Sequence, residues 1–383
     1  MNVDKGAGSS TSGSSGEVVD HSVHGLVSIR MTSAPPVILN KVRRRLGPSA
    51  EAADAEPDIC ITFKDSLPTS GRLRFLGLNR AAYDNEHFYL LDDSGHRIRI
   101  DFETLGERCE VYCEPAVTSI PFLLPIIGLR LLRKGHVLLH SSAFVQGGKG
   151  NLVAGWQKGG KTEMLLAFMS EGADYLANEW TIVSPDEGLL RGIGGVLQIW
   201  DWHLRYTPQY LKRLPEGDRR RLAAFRLYQR LYGGLPKRSS PGGVVRKALQ
   251  QLSLEGGVSL LRQVRVTPER LFGDSMWKGP APLDHVFLAT VGASETRVYP
   301  SGSHEIAQRM IASQTYERRD LLAAYDHFRF AFPGRPNTLL EQASEHELQM
   351  LSRAFFGKAT HEVAHPYPVP LGDLYRAAAS YCT

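Results

Sequence analysis

Residues Gly155 to Thr162 read Gly-Trp-Gln-Lys-Gly-Gly-Lys-Thr, a complete G-x-x-x-x-G-K-[ST] string. The short apolar run Asn151-Leu152-Val153-Ala154 precedes it and the helix formers Glu163 to Met169 follow, so a strand feeds a glycine-rich turn that opens a helix. Backbone N–H groups of the first helical turn have no intrahelical partner, and the helix dipole adds positive potential at the same spot, so a phosphate binds there. Gly155, Trp156, Gln157, Lys158, Gly159, Gly160, Lys161 and Thr162 are therefore the expected nucleotide-binding residues. An exposed Lys161 is expected to reach the β- and γ-phosphates of ATP, and the Thr162 hydroxyl to ligate Mg²⁺.

The flanks of this string carry further chemistry. Leu138 to Val145 is an apolar run with one histidine, His140, and Gly147-Gly148-Lys149-Gly150 turns it, hairpin-fashion, into the strand of the loop. Downstream, Glu171-Gly172-Ala173 ends the helix, and Tyr175 to Val183 reads as a second strand bearing the polar pair Asn178-Glu179. This order resembles the C-terminal domain of the HPr kinase/phosphorylase family, which runs histidine, hairpin, glycine-rich loop, helix, glycine and a strand with two adjacent acidic residues. It is similar also to the HPr-kinase-related proteins of bacterial natural-product clusters, some of which phosphorylate a serine of a ribosomal peptide. The resemblance covers about Gly135 to Val183 and extends only loosely beyond.

The resemblance implies an α/β fold, an HPr-kinase/PEP-carboxykinase-like P-loop domain preceded by a small β-rich domain. It also implies ATP- and Mg²⁺-dependent phosphoryl transfer to a hydroxyl, on Ser or Thr of a peptide or protein or on a small molecule. His140 matches the histidine beside the family's active site, and Asn178-Glu179 matches its acidic pair. Asn178 stands where the family has the aspartate that exchanges a proton with the acceptor, and an amide cannot do that near neutral pH. The base is then Glu179, His140 or Asp201, with Glu179 joining Thr162 as a metal-binding residue. Transfer survives a weak base because it depends mostly on positioning and charge stabilisation. The alternative is a nucleotide-gated binding protein, in which ATP orders a neighbouring segment and no phosphoryl group moves.

Several elements must position these residues. At 383 residues the chain is long enough for two domains. Residues 1–34, rich in Ser and Gly at the start, read as a disordered tail, and residues 35–134 as a small β-rich domain with a linking helix. Strands are expected at Asp58 to Phe63, Arg72 to Phe75, Phe88 to Leu91 and Arg97 to Ile100, the last two joined by an Asp92-Asp93-Ser94-Gly95 turn, in a half-buried antiparallel sheet. Ile120 to Leu129 is too short to cross a bilayer and is closed by Arg130, Arg133 and Lys134, which makes it a buried joining helix with no membrane role. Residues 135–383 form the expected nucleotide domain. Cys109 and Cys113 fall on one face of a strand, and the four cysteines show neither a disulfide framework nor a zinc spacing. A cytoplasmic location follows from that cysteine usage and from an opening without a signal-peptide pattern.

Charge is uneven. His203 to Arg270 holds fifteen Lys and Arg against four acidic residues, which suggests an acidic or phosphorylated partner, peptide or small molecule. Part of the excess decorates an amphipathic helix in which Arg219-Arg220-Arg221, Arg226 and Arg230 surround Leu222, Phe225, Leu227 and Leu231; a solvated face is the plainer explanation. No nucleic-acid motif accompanies it, and homo-oligomerisation is left open. Just before, strand alternation through Ile199 to Arg205 would put Asp201, His203 and Arg205 on one polar face able to hold Mg²⁺ and a phosphate. Trp156 and Trp180 either cover the nucleotide or simply pack. His361-Glu362-Val363-Ala364-His365 is a literal H-E-x-x-H, which binds zinc only on a helix. Gly357 before it and Pro366 and Pro368 after it point to an extended segment leading into a helix from Leu371 to Ser380, with only Asp373 left as a carboxylate third ligand.

Overall fold

A computed structural model describes residues 17–49, 56–78, 80–232 and 262–382. Alternation of apolar and polar residues builds its first sheet. Val27, Ile29 and Met31 are buried while Ser28, Arg30 and Thr32 are half-buried, and the same period of two runs through Ile59–Phe63 and Cys109–Cys113. These strands join an eight-stranded sheet in the order Val18–Val23, Val27–Thr32, Ile59–Phe63, Cys109–Cys113, Arg97–Ile100, Phe88–Leu91, Ala81–Tyr83, Arg74–Leu76. Cys109 and Cys113 share its buried face, as their spacing predicts.

Two expectations about this region are corrected. The tail assigned to residues 1–34 is ordered from residue 17 on, where Val18–Val23 and Val27–Thr32 pair as an antiparallel hairpin; the Ser- and Gly-rich stretch of residues 1–16 lies outside the described residues. The sheet is mixed, since Val27–Thr32, Ile59–Phe63 and Cys109–Cys113 pair in parallel. Helix Pro36–Leu46 accounts for the first parallel step, because it carries the chain back over the sheet before the next strand begins and buries Ile38, Val42 and Leu46 as it does so.

The linking helix runs Leu123–Arg133 and is buried along most of its length. Arg130 does not close it at the surface but is buried, donating to the carbonyls of Gly106 (2.6 Å) and Glu107 and to the Asp58 carboxylate. Lys134 Nζ donates to the other Asp58 oxygen (2.8 Å) and to Leu26 O (2.7 Å), while the Ser28 N–H donates to Asp58 Oδ2 (2.9 Å). Burial pushes the Asp58 pKa up, but the hydrogen bonds from Arg130 and Lys134 outweigh it and hold the carboxyl below 3.8. One carboxylate thus fastens helix to sheet.

Beyond the helix, two more sheets form the rest of the scaffold. A six-stranded sheet is ordered Asp174–Ala177, Ser142–Gln146, Lys149–Ala154, His285–Val291, Ala359–His365, Arg297–Pro300, and its three central strands Lys149–Ala154, His285–Val291 and Ala359–His365 run parallel. A four-stranded antiparallel sheet holds Ala281–Pro282, Leu189–Gly192, Thr181–Ser184 and Val137–Leu139. Gly147 and Gly148, both at positive φ (58° and 82°), make the two-residue turn between Ser142–Gln146 and Lys149–Ala154 that their sequence predicts. The runs Leu138 to Val145 and Tyr175 to Val183, each expected as one strand, are both broken: their first and second halves belong to different sheets.

Among the described residues one hydrophobic cluster extends across residue 134. Helix Arg319–Ala331 packs on the first sheet, with Phe328 against Phe88 (5.8 Å) and Phe102 (5.5 Å), while helix Thr338–Phe355 packs on the linking helix and its N-cap Asn337 donates its amide to Phe102 O and Leu105 O. Among the described residues no helix is long and apolar enough to cross a membrane.

Asp58 is the testable joint of this arrangement. Asp58→Asn removes the counter-charge of a buried arginine and should cost about 3 kcal/mol, read as a lowered denaturant midpoint with an unchanged slope; a midpoint equal to that of the parent would show that the carboxylate is dispensable.

Candidate functional site

The glycine-rich loop lies at the carboxyl ends of the three parallel strands, where open α/β sheets bind ligands. All three of its glycines are needed for contact, Gly159 because a Cβ there would stand 2.9 Å from Trp156 O. Gly155 sits at φ 149° with the Ala289 carbonyl 2.7 Å from where a Cβ would stand, and a Cβ on Gly160, at φ 103°, would overlap the His365 ring. Gly159 N–H donates to Trp156 O (3.0 Å), and Met164 N–H to Gly160 O (2.9 Å) as helix Lys161–Ser170 begins. Lys161 is not exposed as expected: it is 7% accessible and its Nζ donates to Gly155 O (3.1 Å) and Trp156 O (2.9 Å). The loop thus curls around its own lysine, two of its carbonyls accepting from the ammonium. Burial pulls the Lys161 pKa down to about 8, against the attraction of Glu179, Glu317 and Glu163.

Beside the loop, His140 lies between two carboxylates. Its Nδ1 is 2.6 Å from Glu317 and its Nε2 is 3.1 Å from Glu179, while its ring stacks on Trp180 at 5.2 Å and 24°. Both nitrogens can donate only in the imidazolium form. Burial disfavours that charge, but the bonds to Glu179 and Glu317 outweigh it and raise the His140 pKa above 6.5. The bond to His140 lowers the Glu179 pKa against burial; for Glu317 burial is the larger influence, yet the bond to His140 and the other favourable charges still bring the pKa below 4.5. Glu179 is about half exposed, at 48%, and holds a backbone φ of 80°, a conformation rare for a residue with a side chain.

Glu317 is the member that sequence reasoning missed. It ends helix Ser303–Glu317, 177 positions from His140, and Gln157 of the loop donates to the same carboxylate at 2.8 Å. No motif announces it; only folding brings it to the histidine. From the same helix Gln314 accepts from the His140 N–H (3.1 Å) and donates to Leu138 O.

Asn178, the other half of the polar pair, is buried beside Thr162. Its Oδ1 accepts from Ser142 Oγ (2.9 Å) and Thr162 Oγ1 (3.2 Å), and its buried Nδ2 has no partner among the described residues. The pair is therefore not on a strand, as expected, but at the break between Asp174–Ala177 and Thr181–Ser184. Among the described residues no group of three or more His, Cys, Asp or Glu is set to hold a metal. The Thr162 hydroxyl, Asn178 amide oxygen and Glu179 carboxylate are nonetheless hard oxygen donors of the type Mg²⁺ takes when a substrate and water complete its shell.

Asp201 is elsewhere. Strand Leu197–Trp200 stops before it and His203–Tyr206 is helical, so the expected polar face does not form. The Asp201 carboxylate is buried between Arg205 (3.0 Å) and Arg226 (2.6 Å), where it anchors helix Glu216–Tyr232. His203 Nδ1 accepts from the Trp200 N–H (3.2 Å) and its Nε2 donates to Glu163 (3.1 Å). In the amphipathic helix Leu222 and Phe225 are buried as expected but Leu227 is exposed; the Leu231 side chain and residues 233–261, much of the basic segment, lie outside the described residues.

The H-E-x-x-H string is extended, as its flanking glycine and prolines predict, in strand Ala359–His365. Four residues of strand separate the two histidines by about 13 Å. His365 Nε2 lies 3.2 Å from Gly159 O, His361 packs on Tyr381 (4.5 Å), and Glu362 accepts from Thr290 (2.8 Å). Trp156 is half exposed against Tyr316 (5.1 Å), and Trp180 is taken up by His140. No protein-family model matches the chain, and no curated protein matches it.

The histidine cluster should declare itself in the pH dependence of stability. A raised His140 pKa contributes stability that is complete below pH 6.5 and is lost as pH rises through the raised value; the lowered Glu179 and Glu317 pKa values contribute above 4.5 and lose it as pH falls. Comparing urea midpoints with His140→Phe from acid to mildly alkaline pH, the deficit of the variant should be greatest between pH 4.5 and 6.5 and shrink on either side. A deficit independent of pH would mean that His140 acts by packing alone.

Proposed function

We propose that this protein is an ATP- and Mg²⁺-dependent phosphotransferase acting on a hydroxyl, of a Ser or Thr in a peptide or protein or of a small molecule, built on an HPr-kinase-like P-loop fold with a β-rich region ahead of it. The observation that carries the reading is the contact between the glycine-rich loop and the polar cluster: Thr162 touches Asn178, Gln157 touches Glu317, and both lead to His140 and Glu179. An anion in the loop would give Lys161 a better partner than the carbonyls of Gly155 and Trp156, and would restore its full charge. Bound Mg²⁺, with Thr162 and Glu179 as its protein ligands, would neutralise charge on the phosphates.

The residues divide the remaining work. His140, with both ring nitrogens bonded to carboxylates and its pKa raised by them, orients the Glu179 carboxylate rather than accepting a proton. Glu179, half exposed and adjacent to the loop, is the group placed to receive the acceptor proton, with the weakness of a base whose pKa is depressed. The unpartnered Asn178 amide would donate to an oxygen of the acceptor or of the phosphoryl group. Asp201, committed to two arginines, has no part. The basic segment suits an acidic or phosphorylated acceptor. Asn178 also favours a second reading, a nucleotide-gated binding protein in which the same loop holds ATP and no transfer follows.

Lys161→Ala should abolish or strongly reduce Mg·ATP binding, measured by calorimetry; unchanged affinity would end both readings. Glu179→Gln, which keeps shape but loses charge, should lower turnover by a factor on the order of 10²–10⁴ with ATP still bound. Asn178→Asp should raise transfer. If neither substitution changes anything and mass spectrometry finds no phosphorylated acceptor, the gated binder stands in place of the kinase.

A further inference from the structure

The glycine-rich loop has two flanks, and His140, Glu179 and Glu317 lie on one of them. On the other flank the His365 ring lies between Gly159 O (3.2 Å) and Pro366 O (2.7 Å), and the Glu163 carboxylate, one residue past Thr162, is bonded to His203 (3.1 Å). Each of these anchors lies within two residues of an aromatic side chain, half-buried Trp202 or exposed Tyr367. Tyr367 stands two residues after His365, and Trp202 directly precedes His203.

These rings form an open corner. Trp202 meets Tyr367 at 5.7 Å and 86°, and Tyr206 at 6.3 Å and 83°, so both tyrosines present themselves nearly perpendicular to the indole. Tyr206 is 47% and Tyr367 49% accessible, which leaves aromatic faces in water beside a phosphate-type loop. Trp156 and Trp180, the tryptophans that the sequence offers as nucleotide covers, both lie on the flank of Glu317 and His140, against Tyr316 and His140 themselves.

A triphosphate lying along the loop with its last phosphate beside Thr162 and Asn178 carries its nucleoside away from the cluster, toward the aromatic corner. Flat π-surfaces bind bases by stacking, with little dependence on which base it is. We infer that Trp202, Tyr206 and Tyr367 form the stacking site for the nucleobase of a nucleotide held by the glycine-rich loop, an inference that rests on the nucleotide reading above. Stacking on these rings is tolerant of base identity, so ATP and GTP bind alike.

The test compares ATP, GTP and inorganic tripolyphosphate by calorimetry on the full-length protein, the tripolyphosphate engaging the loop alone. In Tyr206→Ala and in Tyr206→Ala/Tyr367→Leu, affinity for ATP and GTP should fall, about tenfold or more in the double variant, while tripolyphosphate affinity stays at the parent value and certifies an intact loop. Unchanged ATP affinity in the double variant overturns the inference and leaves the loop reading standing. Equal loss of ATP and tripolyphosphate overturns it too, because the rings would then only support the loop. A parent that binds neither ligand overturns the nucleotide reading, and this inference with it.

Discussion

A strand can satisfy its backbone in only one sheet at a time, and twice in this molecule the chain passes from one sheet to another at the same place. Leu139 pairs with Thr181 in the four-stranded sheet, while Ala143 pairs with Ala177 in the six-stranded one. Between these ladders lie His140-Ser141 on one crossing and Asn178-Glu179-Trp180 on the other, tied by the Ser141 N–H to Glu179 O (3.1 Å). Backbone that leaves a ladder needs polar partners, and side chains there cannot point into an apolar core. The seam is consequently where the polar residues collect, and the hairpin to Lys149–Ala154 brings it beside the glycine-rich loop.

The electrostatics of the site follow from that placement. Two carboxylates, an imidazole and an ammonium share a partly buried space, and the imidazole is the member satisfied on both sides. Lys161 is the least comfortable: carbonyl dipoles hold it, yet burial brings its pKa to about 8. A buried ammonium held only by carbonyl dipoles bears a desolvation cost that a full counter-charge would relieve.

Much of this was legible in the chain wherever a short-range rule governs. The loop, its strand and helix, the Gly147-Gly148 hairpin, the shared face of Cys109 and Cys113, and the extended H-E-x-x-H segment all follow from local spacing. What escaped depends on distant partners. The breaks at His140 and Asn178 fall inside runs of strand-forming residues, so nothing local marks them; Glu317 approaches from another helix; Asp201 meets Arg226 across 25 positions. Composition misled at the start, where the Ser and Gly of residues 1–16 colour a stretch whose later half alternates cleanly enough to pair. Likewise Lys161 looked exposed because lysine usually is, whereas a loop that closes around its side chain is a property of backbone conformation.

The parallel pairing of Lys149–Ala154 with His285–Val291, and of that strand with Ala359–His365, has a consequence in time. The strand that ends in the glycine-rich loop meets its hairpin partner immediately, but its other neighbour lies more than a hundred residues on, and His365, which packs against Gly160, is further still. Such pairings form slowly, because loop-closure entropy is lost before contacts repay it. During synthesis the first sheet and its hairpins can be made while the loop remains unsupported on one side. The packed surroundings of the glycine-rich loop are thus among the last features to mature, so a nascent chain carries the motif long before it carries the folded loop.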